Sequence, residues 1–452
     1  MADKQSGMDK GQNPISGFLS IFFASDVRRA VSFNVSWMMF DRIFRLGLGT
    51  LIIIWMARYL GPEQFGQYNF AISVIGIFAA ISGLGIHEIL VKEIAGAKIN
   101  PGNVIGAGLF AAALAGFFGS VLVGILAVSA MRADETFLLV AVLSFTLVLK
   151  ATDPIRAFFE AQIRSKITIL AELAVFGLMV CVRITLLLAQ ADLMAFVWLL
   201  VIEAGLTALA LAFVFVAYAD AKVQFFNHAK LAAKLAKDAF PLMLAGLGVM
   251  LYMRIDQVML GTLSNQTNVG LYAAAVRISE LWYFVPVAVT ASLFPQMVAV
   301  KDSNPQAYEK LLVRLYMGMW AISLLAIGAI LIFGPSLMAL LYGAQFAAAA
   351  PILSIHIFGG LFVALGSVRG KWLLTEGLNK FVAVSVFLGA TVNILANAIL
   401  IPSEGTIGAA KATVLAYGFA VVIAPLFYQP ARKCISHMFF LGTPQGKLRS
   451  TK

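Results

Sequence analysis

The chain has 452 residues, of which 61% are hydrophobic and only 12% charged, with a mean hydropathy of +0.91. That balance excludes a soluble globular domain. The net charge of +11 suggests a polyanion partner, but Lys and Arg concentrate in alternate polar breaks between apolar runs, which points to membrane topology and not to a nucleic-acid surface.

Residues 1–30 are polar and lack the apolar core and cleavage site of a secretory leader, so they read as a cytoplasmic tail. Beyond them, apolar runs long enough to cross a hydrocarbon core of about 30 Å lie at 33–57, 65–87, 103–130, 136–152, 167–189, 192–218, 241–263, 269–298, 311–333, 350–371, 380–401 and 406–429. The expected fold is all-α: twelve transmembrane helices in two six-helix lobes, residues 31–218 and 241–430. A cytoplasmic linker at 219–240 joins them, and a basic cytoplasmic tail, 431–452, follows. Only Arg58, Arg132 and Lys411 fall at outer ends, which places both termini in the cytoplasm. In the linker, Ala229, Leu231, Ala232, Leu235, Ala236 and Ala239 alternate with Lys230, Lys234 and Lys237 at helical spacing. It reads either as an amphipathic helix on the inner membrane face or as a solvated tether.

The halves share a short repeat. Gly66-Gln67-Tyr68-Asn69-Phe70-Ala71 and Gly270-Leu271-Tyr272-Ala273-Ala274-Ala275 both contain Gly-x-Tyr-x-x-Ala, each just after the first span of its half. An even number of spans separates them, so the repeat is parallel, with a pathway expected between the halves. The longest outer loop is expected near 334–349, too short to hold a catalytic region. No phosphate loop, Ser/His/Asp pattern or metal-ligand spacing occurs, and Cys181 and Cys434 are not placed to pair. A transporter is expected, not an enzyme, with no cofactor and no metal.

Five arginines interrupt the apolar runs: Arg42, Arg45, Arg183, Arg254 and Arg277. Each costs about 2.5–3.5 kcal/mol at a helix centre, so together they belong on an interior surface facing water or an anion. Asp41 and Arg45 are spaced i,i+4 for an ion pair, which leaves Arg42 in excess. Arg254 and Asp256 stand about 200° apart on one helix and point into different surroundings. Arg277 and Glu280 are spaced i,i+3, with Trp282 and Tyr283 beyond. Arg183 shares a stripe with Glu172 and lies near enough to the outer boundary to snorkel. Asp41, Asp256, Glu280 and Glu203 are the carboxylates available for ion coupling or ion pairing. Pro286 is expected to bend its helix, and Asn393 and Asn397 lie one turn apart, either bonding neighbouring helices or lining the pathway.

Three motifs carry a resemblance: Arg58-Tyr59-Leu60-Gly61-Pro62-Glu63-Gln64-Phe65-Gly66-Gln67-Tyr68, Arg254-Ile255-Asp256-Gln257-Val258-Met259-Leu260-Gly261 and Gly270-Leu271-Tyr272-Ala273-Ala274-Ala275-Val276-Arg277. With Gly389-Ala390-Thr391-Val392-Asn393-Ile394, Ile401-Pro402, Gly405 and Gly408-Ala409-Ala410, the chain resembles the polysaccharide transporter family. These are Wzx-type flippases, in the superfamily that includes the multidrug and toxin extrusion proteins. The resemblance implies alternating access by a flippase in the bacterial inner (cytoplasmic) membrane. Its substrate would be an undecaprenyl-pyrophosphate-linked oligosaccharide, moved among membrane lipids for O-antigen, lipopolysaccharide or exopolysaccharide synthesis. It also implies a cationic cavity carried by Arg254, Arg277, Arg45, Arg42 and Arg183, and partners among polysaccharide polymerases and chain-length proteins. The alternatives are a multidrug exporter of the same fold and a membrane-embedded glycan polymerase or transferase.

Overall fold

A computed structural model of the protein describes residues 25–96, 99–130, 135–220 and 229–440. Within them the chain is helical, and no strand occurs: α1 Ser25–Ser82, α2 Ile86–Ala95, α3 Pro101–Ala130, α4 Glu135–Leu149, α5 Pro154–Ala161, α6 Ser165–Leu188, α7 Leu193–Tyr218, α8 Ala229–Leu263, α9 Gln266–Leu281, α10 Phe284–Ser303, α11 Pro305–Tyr342, α12 Ala349–Thr375, α13 Asn379–Gly418 and α14 Arg432–Met438. The protein is a multi-pass membrane protein. Among the described residues, 10 helical runs are long and apolar enough to cross a membrane.

Two of these runs, Ile43–Ala95 and Asn379–Leu426, have 53 and 48 residues. At about 1.5 Å per residue either would be roughly 70–80 Å long if straight, far more than one crossing needs. Each is broken at a glycine. Gly61 has φ 73° and ψ 171° within α1, because Pro62 disfavours a helical residue before it and only glycine takes positive φ without strain. Gly405, three residues after Pro402, has φ 58° and ψ −129° within α13.

Three differences from the expected layout have local causes. The run at 269–298 is split between α9 and α10 by a turn at Trp282–Tyr283, since Pro286 has no N–H to donate to the Trp282 carbonyl. The expected outer loop near 334–349 is largely helical: α11 continues to Tyr342 with Pro335 inside it, and a 3-10 turn follows at Ala344–Phe346. Residues 229–240 are not a separate helix, because they begin α8 and run straight into its apolar part. Their apolar face, Ala232, Leu235 and Ala239, is buried with Ile86 and Leu90 of α2 and Ile155 and Phe158 of α5, so it covers protein and not lipid.

The cores are arranged unequally. At the helix ends around Gly66 and Gly270, one core joins both halves, with Phe65, Phe70, Leu143, Leu193, Tyr272, Phe346, Leu353 and Ala409 in a single cluster. At the opposite ends there are two separate cores: Leu90, Phe158 and Leu211 of the first half with Leu235 from the start of α8 in one, and Leu312, Tyr316, Leu365 and Trp372 of the second half in the other. The joint is tight. A Cβ on Gly66 would stand 1.7 Å from the Gln266 carbonyl oxygen, and one on Gly270 would stand 1.9 Å from that of Pro62. The two copies of the Gly-x-Tyr-x-x-Ala repeat therefore pack backbone to backbone. Ser73 donates to Gln257 Oε1 at 2.9 Å, Arg58 Nη1 to the Leu340 carbonyl at 3.2 Å, and Gln345 to the Arg58 carbonyl at 2.7 Å.

Candidate functional site

Below this joint a cavity of about 750 Å³ lies between the halves, lined by α1, α6, α8, α9 and α10. Arg45, Arg254 and Arg277 face it, as do Asp41, Glu280 and Tyr283. Among its described lining residues, three cations stand against two carboxylates. The charges are also held differently. Arg45 Nε donates to Asp41 Oδ1 at 2.5 Å, its Nη2 lies 3.6 Å from Glu172 Oε2, and its guanidinium stacks 5.2 Å from the Phe176 ring centre. Arg254 and Arg277 have no ion-pair partner within 4 Å among the described residues, and Arg277 Nε is a buried donor without an acceptor. Glu280 shares the cavity without bonding either. A guanidinium without an ion-pair partner can grip an anion with two parallel N–H donors, and two such groups line this cavity among the described residues.

The remaining sequence candidates lie elsewhere. Arg183 is buried, 7% exposed. Rather than snorkelling, it bonds Glu203 Oε2 at 3.0 Å. Asp256 is buried on the far side of α8 from Arg254, and its Oδ2 accepts hydrogen bonds from Tyr272 and from Thr413 at 2.7 Å, while Oδ1 has no partner. The Arg42 side chain lies outside the described residues. Asn397 Nδ2 donates to Asn393 Oδ1 at 3.1 Å, and both residues are fully buried. Contacts of Gly248 with Val386 and Phe387, and of Gly389 with Tyr252, carry α8 and α13 alongside each other.

Sequence reasoning missed two sets of residues. Glu172 does not pair with Arg183. It accepts from Arg156 Nε at 2.5 Å, and Arg156 Nη1 bonds Asp153 Oδ1 at 2.9 Å. The i,i+3 spacing of Asp153 and Arg156 was readable in the chain, but their link to Glu172 was not. Arg369, 6% exposed, is a further intramembrane arginine whose place near the end of its apolar run resembled an ordinary inner-face charge. It donates to the Ala420 carbonyl within the π-helical stretch Phe419–Ile423 and to Ser385 Oγ at 3.1 Å, which makes it a brace between α12 and α13. Among the described residues no cluster of three His, Cys, Asp or Glu side chains is placed to hold a metal.

The fold is that of transporters of the MOP superfamily. An inward-facing multidrug resistance MATE transporter aligns over 91% of this chain and 100% of its own, with a TM-score of 0.68 at 15% identity. The lipid II flippase MurJ, in an inward closed conformation, aligns over 91% of this chain and 94% of its own, with a TM-score of 0.65 at 13% identity. At these identities the likeness concerns the fold alone. The family model described as polysaccharide biosynthesis protein matches residues 32–301, and the chain belongs to that family. Among similar proteins, a probable low-salt glycan biosynthesis flippase of Haloferax volcanii, Agl15, is 23% identical over 410 residues, covering 84% of this chain and 80% of its own. A second protein of that organism, the probable flippase AglR, is 30% identical over 191 residues, 39% of this chain and 37% of its own.

Proposed function

We propose that this protein is a flippase for lipid-linked glycans, and that the cavity between its halves receives the pyrophosphate of an undecaprenyl-pyrophosphate-linked oligosaccharide on its way from the inner to the outer leaflet. The observation that carries this reading is the pair of arginines, Arg254 and Arg277, that face one cavity without an ion-pair partner among the described residues. The flippase relatives and family membership support the substrate class. The lipid tail stays in the bilayer, so the cavity reads the head group and leaves polyprenyl length unspecified. Relatives from an archaeon are consistent with that indifference. An exporter of cationic drugs needs acidic or aromatic walls, and the excess of cations here disfavours it.

Counting each kinked run as two crossings gives twelve spans, with both termini cytoplasmic by the positive-inside rule. With that orientation the shared core closes the outer side and the separate cores leave the inner side divided, the inward-facing arrangement of an alternating-access cycle in a bacterial cytoplasmic membrane. An inside-negative potential favours outward movement of an anion by about 2.3 kcal/mol per charge per 100 mV. Of the four candidate coupling carboxylates, Asp41 and Glu203 are held by arginines, whereas Asp256 keeps a buried free oxygen. Asp256 is the coupling group we favour, and Asp256→Asn should remove any dependence of flipping on an ion gradient. A polymerase and chain-length proteins remain the expected partners, tested by co-purification.

The deciding experiment is flipping of the lipid-linked glycan in proteoliposomes. Arg254→Ala and Arg277→Ala should each lower the rate about tenfold or more, the loss of one charge-assisted contact, at unchanged membrane abundance, while Arg254→Lys keeps part of it. Wild-type rates in both alanine variants would sink the proposal.

A further inference from the structure

A second cavity, about 400 Å³, opens inside the first half and meets the central one at Arg45, which lines both. Its electrostatics differ from those of its neighbour. Among its described lining residues the cations Arg45, Lys150 and Arg156 are matched by the carboxylates Asp153, Glu172 and Glu203, and four of these six are tied into one ladder by Arg156–Asp153 at 2.9 Å, Arg156–Glu172 at 2.5 Å and Arg45–Glu172 at 3.6 Å. A cavity of balanced, pre-ordered charge has no reason to draw in an anion. It does offer fixed donors and acceptors side by side, with the hydroxyls of Thr146 and Thr207 and apolar wall from Ile75 and Leu200. Carboxylate oxygens accept from hydroxyl groups, guanidinium and ammonium groups donate to them, and the aliphatic wall meets C–H faces. In the second half, by contrast, aromatic rings pack closely: Tyr252 and Tyr417 stack at 4.3 Å, and the Trp282 indole lies so near Gly360 that a Cβ there would stand 2.4 Å from its Nε1.

From this pairing of a cationic and a neutral polar cavity joined at Arg45, we infer a division of labour: the central cavity holds the pyrophosphate and the cavity of the first half holds the uncharged sugars attached to it. The inference rests on the pyrophosphate reading above and adds the place where the glycan is recognised. Arg45, pinned between Asp41 and Glu172, marks the junction of phosphate and first sugar. Selectivity among glycans then belongs to Thr146, Asp153, Glu172, Glu203 and Thr207.

Gly76 of α1 lines this cavity, and a Cβ built on it meets nothing within 4 Å, so Gly76→Phe is the substitution chosen to put a ring into the sugar space. Binding is measured on the full chain in nanodiscs with two probes, undecaprenyl pyrophosphate and the lipid-linked oligosaccharide pool extracted from the source cells. Gly76→Phe should weaken binding of the oligosaccharide pool about tenfold or more and leave undecaprenyl pyrophosphate within about twofold of wild type, while Gly76→Ala changes neither. Wild-type binding of both probes by Gly76→Phe would overturn the inference. So would an equal loss of both, with Gly76→Ala intact, because the two cavities would then not divide the ligand. Arg254→Ala separates the two claims: if it fails to weaken undecaprenyl pyrophosphate, the pyrophosphate reading falls, whatever Gly76→Phe does.

Discussion

Glu172 holds two arginines at once, one from the short helix α5 and one from α1, while its own side chain is only 14% exposed. Removing its charge leaves Arg156 with Asp153 alone and Arg45 with Asp41 alone, each having lost one charged partner. A buried charge that loses its partner is costly, and hydrogen bonds to charged groups contribute about 1.5–3 kcal/mol. Glu172→Gln should therefore destabilise the protein by about 2 kcal/mol. The check is the thermal midpoint in detergent against Glu63→Gln, an exposed position; equal midpoints would refute the ladder's structural role. At this scale the chain was partly legible. Asp41 and Arg45 are one helical turn apart, so their pairing follows from local geometry. Glu172 and Arg156 are 16 residues apart on different helices, and nothing in their spacing announces the bond.

At the scale of elements, the turn after Gly61 aims the second part of α1 at α9, and the two repeat glycines let the helices touch without side chains between them. Gly270→Leu would drive its Cβ into the Pro62 carbonyl and prise the halves apart at their shared core, where overpacking costs about 1–3 kcal/mol or more. The expected outcome is loss of flipping with the protein still in the membrane, and labelling by an impermeant maleimide of a cysteine at Phe346, which is fully buried in the closed joint. A Gly270→Leu protein whose Phe346→Cys stays unlabelled would contradict this reading of the joint. The repeat itself was visible as six residues of weak similarity. That its two copies touch each other was not, because a repeat specifies equivalent positions and leaves their contact to the docking of the halves.

For the whole molecule, one shared core at one end and two separate ones at the other suit the proposed motion, in which the body opens at one end and pivots about the other. A polyanion that reaches from Arg254 and Arg277 of the second half to Arg45 of the first would draw the halves together, a change expected as rigid-body rocking. Spin labels at Lys92 and Lys380, both exposed, sit on opposite halves at the divided end. Electron-spin distance measurements should show a population at shorter separation once the lipid-linked oligosaccharide pool is added, and Arg254→Ala should suppress it. A distribution that ignores the ligand in the unmutated chain would argue against rocking.

Hydropathy, the positive-inside bias and the glycine–proline breaks are local quantities, summed over a segment or confined to a few neighbouring residues. For that reason the sequence by itself determined an all-helical membrane protein, the approximate limits of most apolar runs, the break between the first two of them and the presence of intramembrane arginines that needed an explanation. Which arginines are neutralised is a different kind of property. It depends on how helices far apart in the chain are rotated and how closely they approach, because Coulomb attraction and hydrogen bonding fall away over a few ångströms. Only the tertiary structure decided that Arg183 meets Glu203, that Arg45, already paired with Asp41 by local spacing, also approaches Glu172, and that Arg254 and Arg277 face one cavity with no carboxylate of the described residues within 4 Å.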